Sequence, residues 1–221
     1  MKTRIFFLAI LFSQLLSAQT EESFTYFYSY EDYLSNAPLQ EEVITILKEQ
    51  TSEYILIDSQ TYKNTGDRAK KAIHSWALKF NNDIYMNMMS AAFISSGKTF
   101  AKFDIIGKKY MVILLDEKQD RKAFSYNNNP YGGGGLIGAA LNVKPKSSWK
   151  DKNGKNYKIL FIDIEKPMRG PRGLEKNVIG ILLDTQKILE LYNNDKNVIE
   201  KLKKSEYLVE DFIEFVNRAN Q

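Results

Sequence analysis

Four carboxylates on predicted strands, or at their ends, are the side chains of this chain best suited to hydrolytic chemistry: Asp116, Asp163, Glu165 and Asp184. A glycosidase needs two carboxyl groups about 5–10 Å apart on either side of a cleft. Charged residues are also ordinary on the solvated face of a strand, and nothing in the sequence brings two of these four together. A carboxylate-based glycan hydrolase is therefore an alternative function and not the leading one.

The chain has one histidine, His74, and no cysteine. Disulfides, cysteine nucleophiles, thiolate metal sites and multi-histidine metal sites are therefore excluded within one chain. His74 alternates with Trp76 and Leu78, which predicts that it lies on the buried face of a strand. Without a Gly-x-Ser-x-Gly motif to supply a nucleophile, it has no evident role as a base. The sequence predicts no catalytic residue, no metal ligand and no cofactor.

A glycine-rich stretch contains Gly133, Gly135 and Gly138, which match GxGxxG if read literally. A dinucleotide site also needs a strand before the motif and a long helix after it, but Pro145 cuts that helix off. We interpret residues 117–156 as an excursion from the sheet that either packs over a sheet edge or stays exposed. An exposed apolar patch is typical of an interaction surface. The candidate contacts for a partner or a membrane are Tyr131, Leu136, Ile137 and Leu141.

Two further groups of side chains could bind a ligand. Tyr26, Tyr28 and Tyr30, with Tyr131, could form a platform on which a sugar stacks, although large aromatic residues more often belong to a core. Basic residues in loops could form a rim that favours anionic polysaccharide or lipid head groups, although interspersed lysines are more often solvated surface. These basic residues are Lys63, Arg68, Lys70, Lys71, Lys144, Lys146, Lys150, Lys152 and Lys155.

Residues 1–18 have the layout of a secretory signal peptide. Lys2 and Arg4 precede an apolar run from Ile5 to Leu16, and small residues follow at 17–18. The run is far shorter than the roughly 20 residues that span a bilayer. We expect export through the inner membrane to the periplasm or beyond, with no transmembrane span after cleavage. Cleavage would leave 203 residues and lower the net charge from +4 to +2, which does not predict a nucleic-acid partner.

The remaining elements predict one domain at residues 19–221. Ser29 can cap a short helix, and two hairpins are predicted at 73–88 and 99–115. Other strands are predicted at 43–46, 54–57, 157–164, 177–183 and 187–191, with a helix at 40–48 as the alternative to the first. Two helices follow Asn194 or Asp195, the second with one apolar stripe. The fold class is α+β: an antiparallel, twisted sheet or partly open barrel with two C-terminal helices packed on it.

Five segments in this order resemble a family of exported, functionally uncharacterised proteins of Bacteroidota, a domain of unknown function. They are SYEDYLSN, IHSWALKFNNDIYMNM, FAKFDIIGKKYMVILL, GGGGLIGAAL and LLDTQKILELYNNDKNVIEKLKK. The resemblance implies an envelope location and an α+β architecture, and it brings no catalytic residues. We expect an exported cell-envelope protein that acts as a non-enzymatic binding or interaction module, with a peripheral envelope or protein partner. The alternatives are the hydrolase and an aromatic sugar-binding module.

Overall fold

The computed structural model describes residues 24–90, 98–117, 144, 146–169 and 178–221. The strands are β1 (Phe24–Phe27), β2 (Val43–Gln50), β3 (Tyr54–Tyr62), β4 (Ala77–Phe80), β5 (Asp83–Asn87), β6 (Thr99–Lys102), β7 (Ile105–Ile106), β8 (Tyr110–Asp116), β9 (Trp149–Lys150), β10 (Asn156–Asp163) and β11 (Ile181–Leu182). The helices are α1 (Tyr30–Leu34), α2 (Lys70–Ile73), α3 (Thr185–Leu191), α4 (Lys196–Lys204) and α5 (Val209–Ala219).

Six strands form a curled antiparallel sheet, here called sheet I, in the order β1-β4-β5-β6-β3-β2. The curl brings its two edge strands towards each other, because the Tyr26 hydroxyl of β1 lies 2.7 Å from the Thr45 hydroxyl of β2. Sheet I is thus a half-barrel. Its concave side holds Ile55, Leu78 and Phe100 in a core of its own, here called the barrel core.

The second antiparallel sheet, here called sheet II, has the order β11-β10-β8-β7. Its centre is the long pair of β8 and β10, which runs in register from Tyr157 opposite Asp116 to Asp163 opposite Tyr110. Strand β9 pairs with the start of β10 through Trp149 opposite Tyr157. Strand β11 pairs further along β10, through Leu160 opposite Leu182. Strand β11 thus places the start of α3 beside sheet II, because the helix begins three residues after the strand ends.

Sheet II is covered on both faces. Met111 and Ile113 face sheet I in an inner core that also contains Ala77 and Met86. The alternate residues of β8 and β10 face α3, α4 and α5 in a helix core that contains Val112, Phe161 and Phe212. Burial on both faces accounts for the nearly continuous apolar sequences of β8 and β10, since a strand with one solvent-exposed face alternates apolar and polar residues.

The predicted fold class is confirmed: the protein is α+β, mostly antiparallel, with a curled sheet and C-terminal helices packed on the strands. The two predicted terminal helices are α4 and α5, and Asp195 caps α4 through the backbone N–H groups of Asn197 and Val198. Helix α1 begins as predicted, with Ser29 and Asp32 forming a reciprocal capping box. Among the described residues, no helix is both long and apolar enough to cross a membrane.

Three local predictions were wrong. Residues 187–191 form part of helix α3 and not a strand, because Asp184 caps the helix at the Lys187 N–H and Ile188 and Leu189 bury one side of it. His74 is exposed, because the strand begins only at Ala77 and His74 ends the short helix α2. The predicted strand 99–106 is divided between two sheets, as β6 in sheet I and β7 in sheet II.

Candidate functional site

A cavity of about 230 Å³ lies where the segment before β9 meets the start of α3 and the end of α4. Its lining combines two lysine side chains, three hydroxyl-bearing side chains, a tryptophan and a leucine. The lining residues are Lys144, Lys146, Trp149, Thr185, Leu202, Ser205 and Tyr207. A concave site with an apolar wall and a few polar groups is the usual form of a small-molecule pocket.

The floor of the pocket is fixed by Trp149, which is only 1% exposed. Its indole N–H donates a 2.8 Å hydrogen bond to the Leu183 carbonyl, next to the end of β11. The Tyr207 ring packs edge-on against the Trp149 ring, with centroids 5.4 Å apart. The Tyr207 hydroxyl is engaged in turn with the Tyr192 hydroxyl at 3.1 Å. Both rings are held by the protein itself, so the floor is preformed.

Thr185 fastens the lysine-bearing segment to α3. Its hydroxyl accepts a 2.9 Å hydrogen bond from the Lys146 N–H and lies within donating distance of the Lys144 and Lys146 carbonyls, at 3.1 and 3.2 Å. The Thr185 N–H also donates to the Lys146 carbonyl at 2.8 Å. Thr185 is buried, and its hydroxyl is used within the protein. It shapes the pocket and is not the group that would contact a ligand.

The end of α4 forms the opposite wall. Ser205 adopts a left-handed backbone conformation, with φ of 60°, and its N–H returns to the Leu202 carbonyl at 3.1 Å. This turn ends the helix and leaves the exposed Ser205 side chain at the rim of the pocket. The Leu202 side chain is buried and forms the apolar part of the wall.

Lys146 is the charged group most closely built into the pocket. Its Nζ lies 5.0 Å from the centre of the Trp149 ring, a cation–π distance. Burial, and secondly the charge of Lys150, hold the pKa of Lys146 below its ordinary value. Within the described ranges, Lys144, Lys146 and Lys150 form no ion pair with a carboxylate.

Other cations of the predicted basic rim are already paired. Lys63 lies 3.0 Å from Glu42, Lys71 lies 2.7 Å from Glu41, and Lys155 lies 2.9 Å from the buried Asp116. The rim is thus not one continuous surface of free charge. Its pocket-lining members are Lys144 and Lys146.

The four candidate carboxylates do not share one site. Asp116 and Asp163 stand at opposite ends of the β8–β10 pair, six residues apart along β10 and hence about 20 Å from each other. Asp163 accepts hydrogen bonds from the N–H groups of the turn that follows β10, and Glu165 pairs with Lys109 at 3.2 Å. Asp184 caps α3. None of the four lines the pocket.

The N-terminal tyrosines belong mainly to the core. Tyr26 and Tyr30 are buried, and the Tyr30 ring packs against Trp76 with centroids 5.0 Å apart. Tyr28 is 44% exposed. The three described rings therefore do not form a common exposed platform. The predicted contacts Tyr131, Leu136, Ile137 and Leu141, the signal peptide and most of the glycine-rich excursion lie outside the described residues and stay predictions.

Of the pocket residues, Lys144 and Lys146 were predicted from the sequence as candidate ligand-binding groups, but Trp149, Thr185, Leu202, Ser205 and Tyr207 were not. A signal was present at Trp149, which follows Lys144 and Lys146 closely in the basic run KPKSSWK. The contribution of α3 and α4 had no such signal, since it depends on how the helices pack. In the part of the chain that the structure describes, no three acidic or histidine side chains are placed to hold a metal ion.

Comparison with known proteins gives a family and no activity. No curated protein and no solved structure matches the chain. Residues 25–220 match the model of DUF6563, which is described as a family of unknown function. The match begins within β1 and ends at the residue that caps α5, so it includes the pocket and all three cores. The chain therefore belongs to the DUF6563 family.

Proposed function

We propose that this protein is exported to the cell envelope and there binds a small ligand, without chemical conversion, in the pocket above Trp149. The observation that carries the proposal is the composition of the pocket lining. It has a rigid aromatic floor and cationic side chains, and its described residues include no aspartate, glutamate or histidine. This set can recognise a ligand but lacks histidine and carboxylate side chains, which are the commonest general acids and bases.

No described residue activates Ser205, the exposed hydroxyl of the lining, as a nucleophile. Ser205 would need a base within hydrogen-bonding distance, as a serine paired with a lysine or histidine has in a hydrolase. Among the described residues, the Ser205 hydroxyl forms no hydrogen bond with Lys144 or Lys146. Binding is therefore better supported than catalysis.

Export is the second part of the proposal, and residues 1–18 support it. The basic start, the short apolar run and the small residues at 17–18 fit a cleaved signal. Expression with and without residues 1–18, followed by cell fractionation and mass measurement, tests this directly. We expect the full chain in the envelope fraction without its first 18 residues, and the shortened chain in the cytoplasm. Full-length protein that stays intact in the cytoplasm would contradict export.

The binding proposal is tested by filling the cavity. Leu202→Trp replaces an aliphatic side chain of the pocket wall by a larger indole ring. The control, Asn197→Trp, adds the same ring at an exposed position of α4. Overpacking costs about 1–3 kcal/mol, less where an adjacent cavity accepts the ring. Circular dichroism checks that both variants are folded.

The assay is a thermal-shift screen of neutral sugars, sugar acids, amino acids and dicarboxylates. A ligand present at 100 times its Kd stabilises the folded state by about 2.7 kcal/mol, which raises Tm by roughly 5–10 °C for a chain of this size. We expect at least one compound to stabilise the wild type and Asn197→Trp but not Leu202→Trp. If no compound stabilises the wild type more than Leu202→Trp, the pocket is not a binding site.

A further inference from the structure

We propose that the ligand of this pocket carries a compact oxyanion, such as a carboxylate, sulfate or phosphate group, bound by Lys146 with Lys144. This inference rests on the proposed binding function and specifies the chemical class of its ligand. Its basis is the set of polar groups that the protein leaves available, together with the charge around Lys146.

The available polar groups are almost entirely hydrogen-bond donors. The indole N–H of Trp149 and the hydroxyls of Thr185 and Tyr207 already have partners within the protein. Among the described lining residues, the side chains of Lys144, Lys146 and Ser205 remain available. Each ammonium group has three donors and no acceptor, and the serine hydroxyl adds one donor and two acceptor lone pairs, so the two lysines dominate the set. A matching ligand must therefore supply acceptors.

The charges around the pocket also favour an anionic ligand. Lys146 is half-buried, the charge of Lys150 acts on it, and no described carboxylate pairs with it. A cation that is partly removed from water without a counter-charge is unfavourable. An oxyanion beside the Lys146 ammonium supplies the missing charge and accepts its hydrogen bonds, and such charge-assisted bonds are the stronger kind. Because Trp149 holds the ammonium over its ring, this cation is already in position.

The size of the cavity limits the ligand to a small group. A volume of about 230 Å³ lies below the roughly 300–1,000 Å³ typical of pockets that bury a drug-sized ligand. That is room for one small ring or one short chain that bears the anion. A longer glycan would have to enter by a terminal acidic unit.

Titration calorimetry with matched probes tests the inference. Glucuronate and glucose share a ring and differ by one carboxylate, while inorganic sulfate and phosphate report binding of the bare anion. We expect glucuronate to bind at least tenfold more tightly than glucose, because its carboxylate adds about one charge-assisted hydrogen bond to the complex. Sulfate or phosphate binding as tightly as glucuronate would support the oxyanion and show that the ring adds nothing.

Variants assign the effect to Lys146. We expect Lys146→Met to lose at least about tenfold in glucuronate affinity and Lys146→Arg to retain it. The matched control is Lys108→Met, which removes the same charge at the β7–β8 turn, at the other end of sheet II from β9. It should bind as the wild type does. Circular dichroism again confirms that each variant is folded.

The pH dependence supplies a readout that is independent of protein folding. Only the protonated Lys146 amine binds an anion, so wild-type affinity should fall as the pH rises from neutral towards about 10. Lys146→Arg stays charged in this range and should lose much less. Equal binding of glucose and glucuronate, or no binding of any anion to the wild type, would overturn the oxyanion inference. The Leu202→Trp screen would still decide whether the pocket binds a ligand at all.

Discussion

The side-chain amide of Asn220 joins the end of the last helix to the hairpin between β7 and β8. Its Oδ1 accepts hydrogen bonds from the Lys109 and Tyr110 N–H groups at 2.9 and 2.8 Å, and its Nδ2 donates to the Tyr110 carbonyl at 3.2 Å. The amide occupies the space where a Cβ on Gly107 would lie. A side chain at 107 would therefore displace this amide, which belongs to a residue more than a hundred positions away.

We expect substitutions at 107 and 220 to have coupled effects on stability. Asn220→Ala should destabilise the protein by about 2 kcal/mol, because it removes the partners of partly buried backbone groups. Gly107→Ala should cost a similar amount, because it displaces the same amide. The double variant should be less destabilised than the sum of the two by at least about 1 kcal/mol, since Gly107→Ala no longer meets the amide. Urea unfolding of all four proteins measures this, and additive effects would contradict it.

At the scale of elements, the chain passes from one sheet to the other within a single residue step. The Phe103 N–H bonds to the Ile84 carbonyl of sheet I, and the Asp104 N–H bonds to the Val112 carbonyl of sheet II. The Asp104 carboxylate then accepts a 2.6 Å hydrogen bond from the Leu114 N–H, where β7 no longer pairs with β8. A carboxylate thus continues the edge of sheet II beyond the end of a two-residue strand.

The contribution of Asp104 to the stability of the fold depends on pH. Burial of its carboxyl, and to a lesser extent the charge of Glu53, raises the pKa of Asp104 to about 6, while the Leu114 N–H opposes the shift. The folded state then holds the proton more tightly than the unfolded chain, so this group favours folding most below about pH 4. That contribution is lost as the pH rises to about 6.

Asp104→Asn removes this titration but keeps an oxygen that can accept the Leu114 hydrogen bond. We expect the variant to gain stability relative to the wild type as the pH rises from about 4 to about 7. Because the residue as a whole is exposed, screening by water reduces the size of the effect, and the prediction concerns its direction. Tm measured at both pH values checks it, and a constant difference between the two proteins would show that Asp104 titrates normally.

The elements also show which parts of the fold the sequence could predict. Alternation and turn residues were enough for the β4–β5 and β7–β8 hairpins, the capping residues for α1 and α4, and the apolar stripe for α5. They failed at α3, whose β-strand-like pattern from 187 to 191 is overridden by the Asp184 cap and by packing on sheet II. They also failed at the β6–β7 corner, because a change of sheet leaves no mark in an alternating pattern.

The candidate site was only partly predictable for the same reason. The pocket lysines stood out as local basic sequence, but Leu202 and Ser205 line the cavity only because α4 ends against β9 and α3. His74, by contrast, was placed on a buried face by extending the strand too far towards the N-terminus. Short-range patterns predict elements well and predict the meeting of three elements poorly.

At the scale of the whole molecule, three hydrophobic cores share strands and do not form separate bodies. Sheet I separates the barrel core from the inner core, and sheet II separates the inner core from the helix core. The segment from Val178 to Leu183 is held from two sides, since Trp76 donates to the Val178 carbonyl and Trp149 to the Leu183 carbonyl. Loss of any one layer exposes a face of the next, so we expect the layers to unfold together.

The fluorescence of the two tryptophans can report separately on two of these cores. Trp76 lies in the inner core and Trp149 in the helix core, and both are at most 1% exposed. Trp149→Phe leaves an emission signal from between the sheets, and Trp76→Phe leaves one from beneath the helices. In each single-tryptophan protein we expect the fluorescence and far-ultraviolet dichroism midpoints in urea to coincide. A fluorescence midpoint that departs from the dichroism midpoint would reveal a layer that unfolds on its own, and a change in Trp149 emission on anion binding would place the ligand close to that ring.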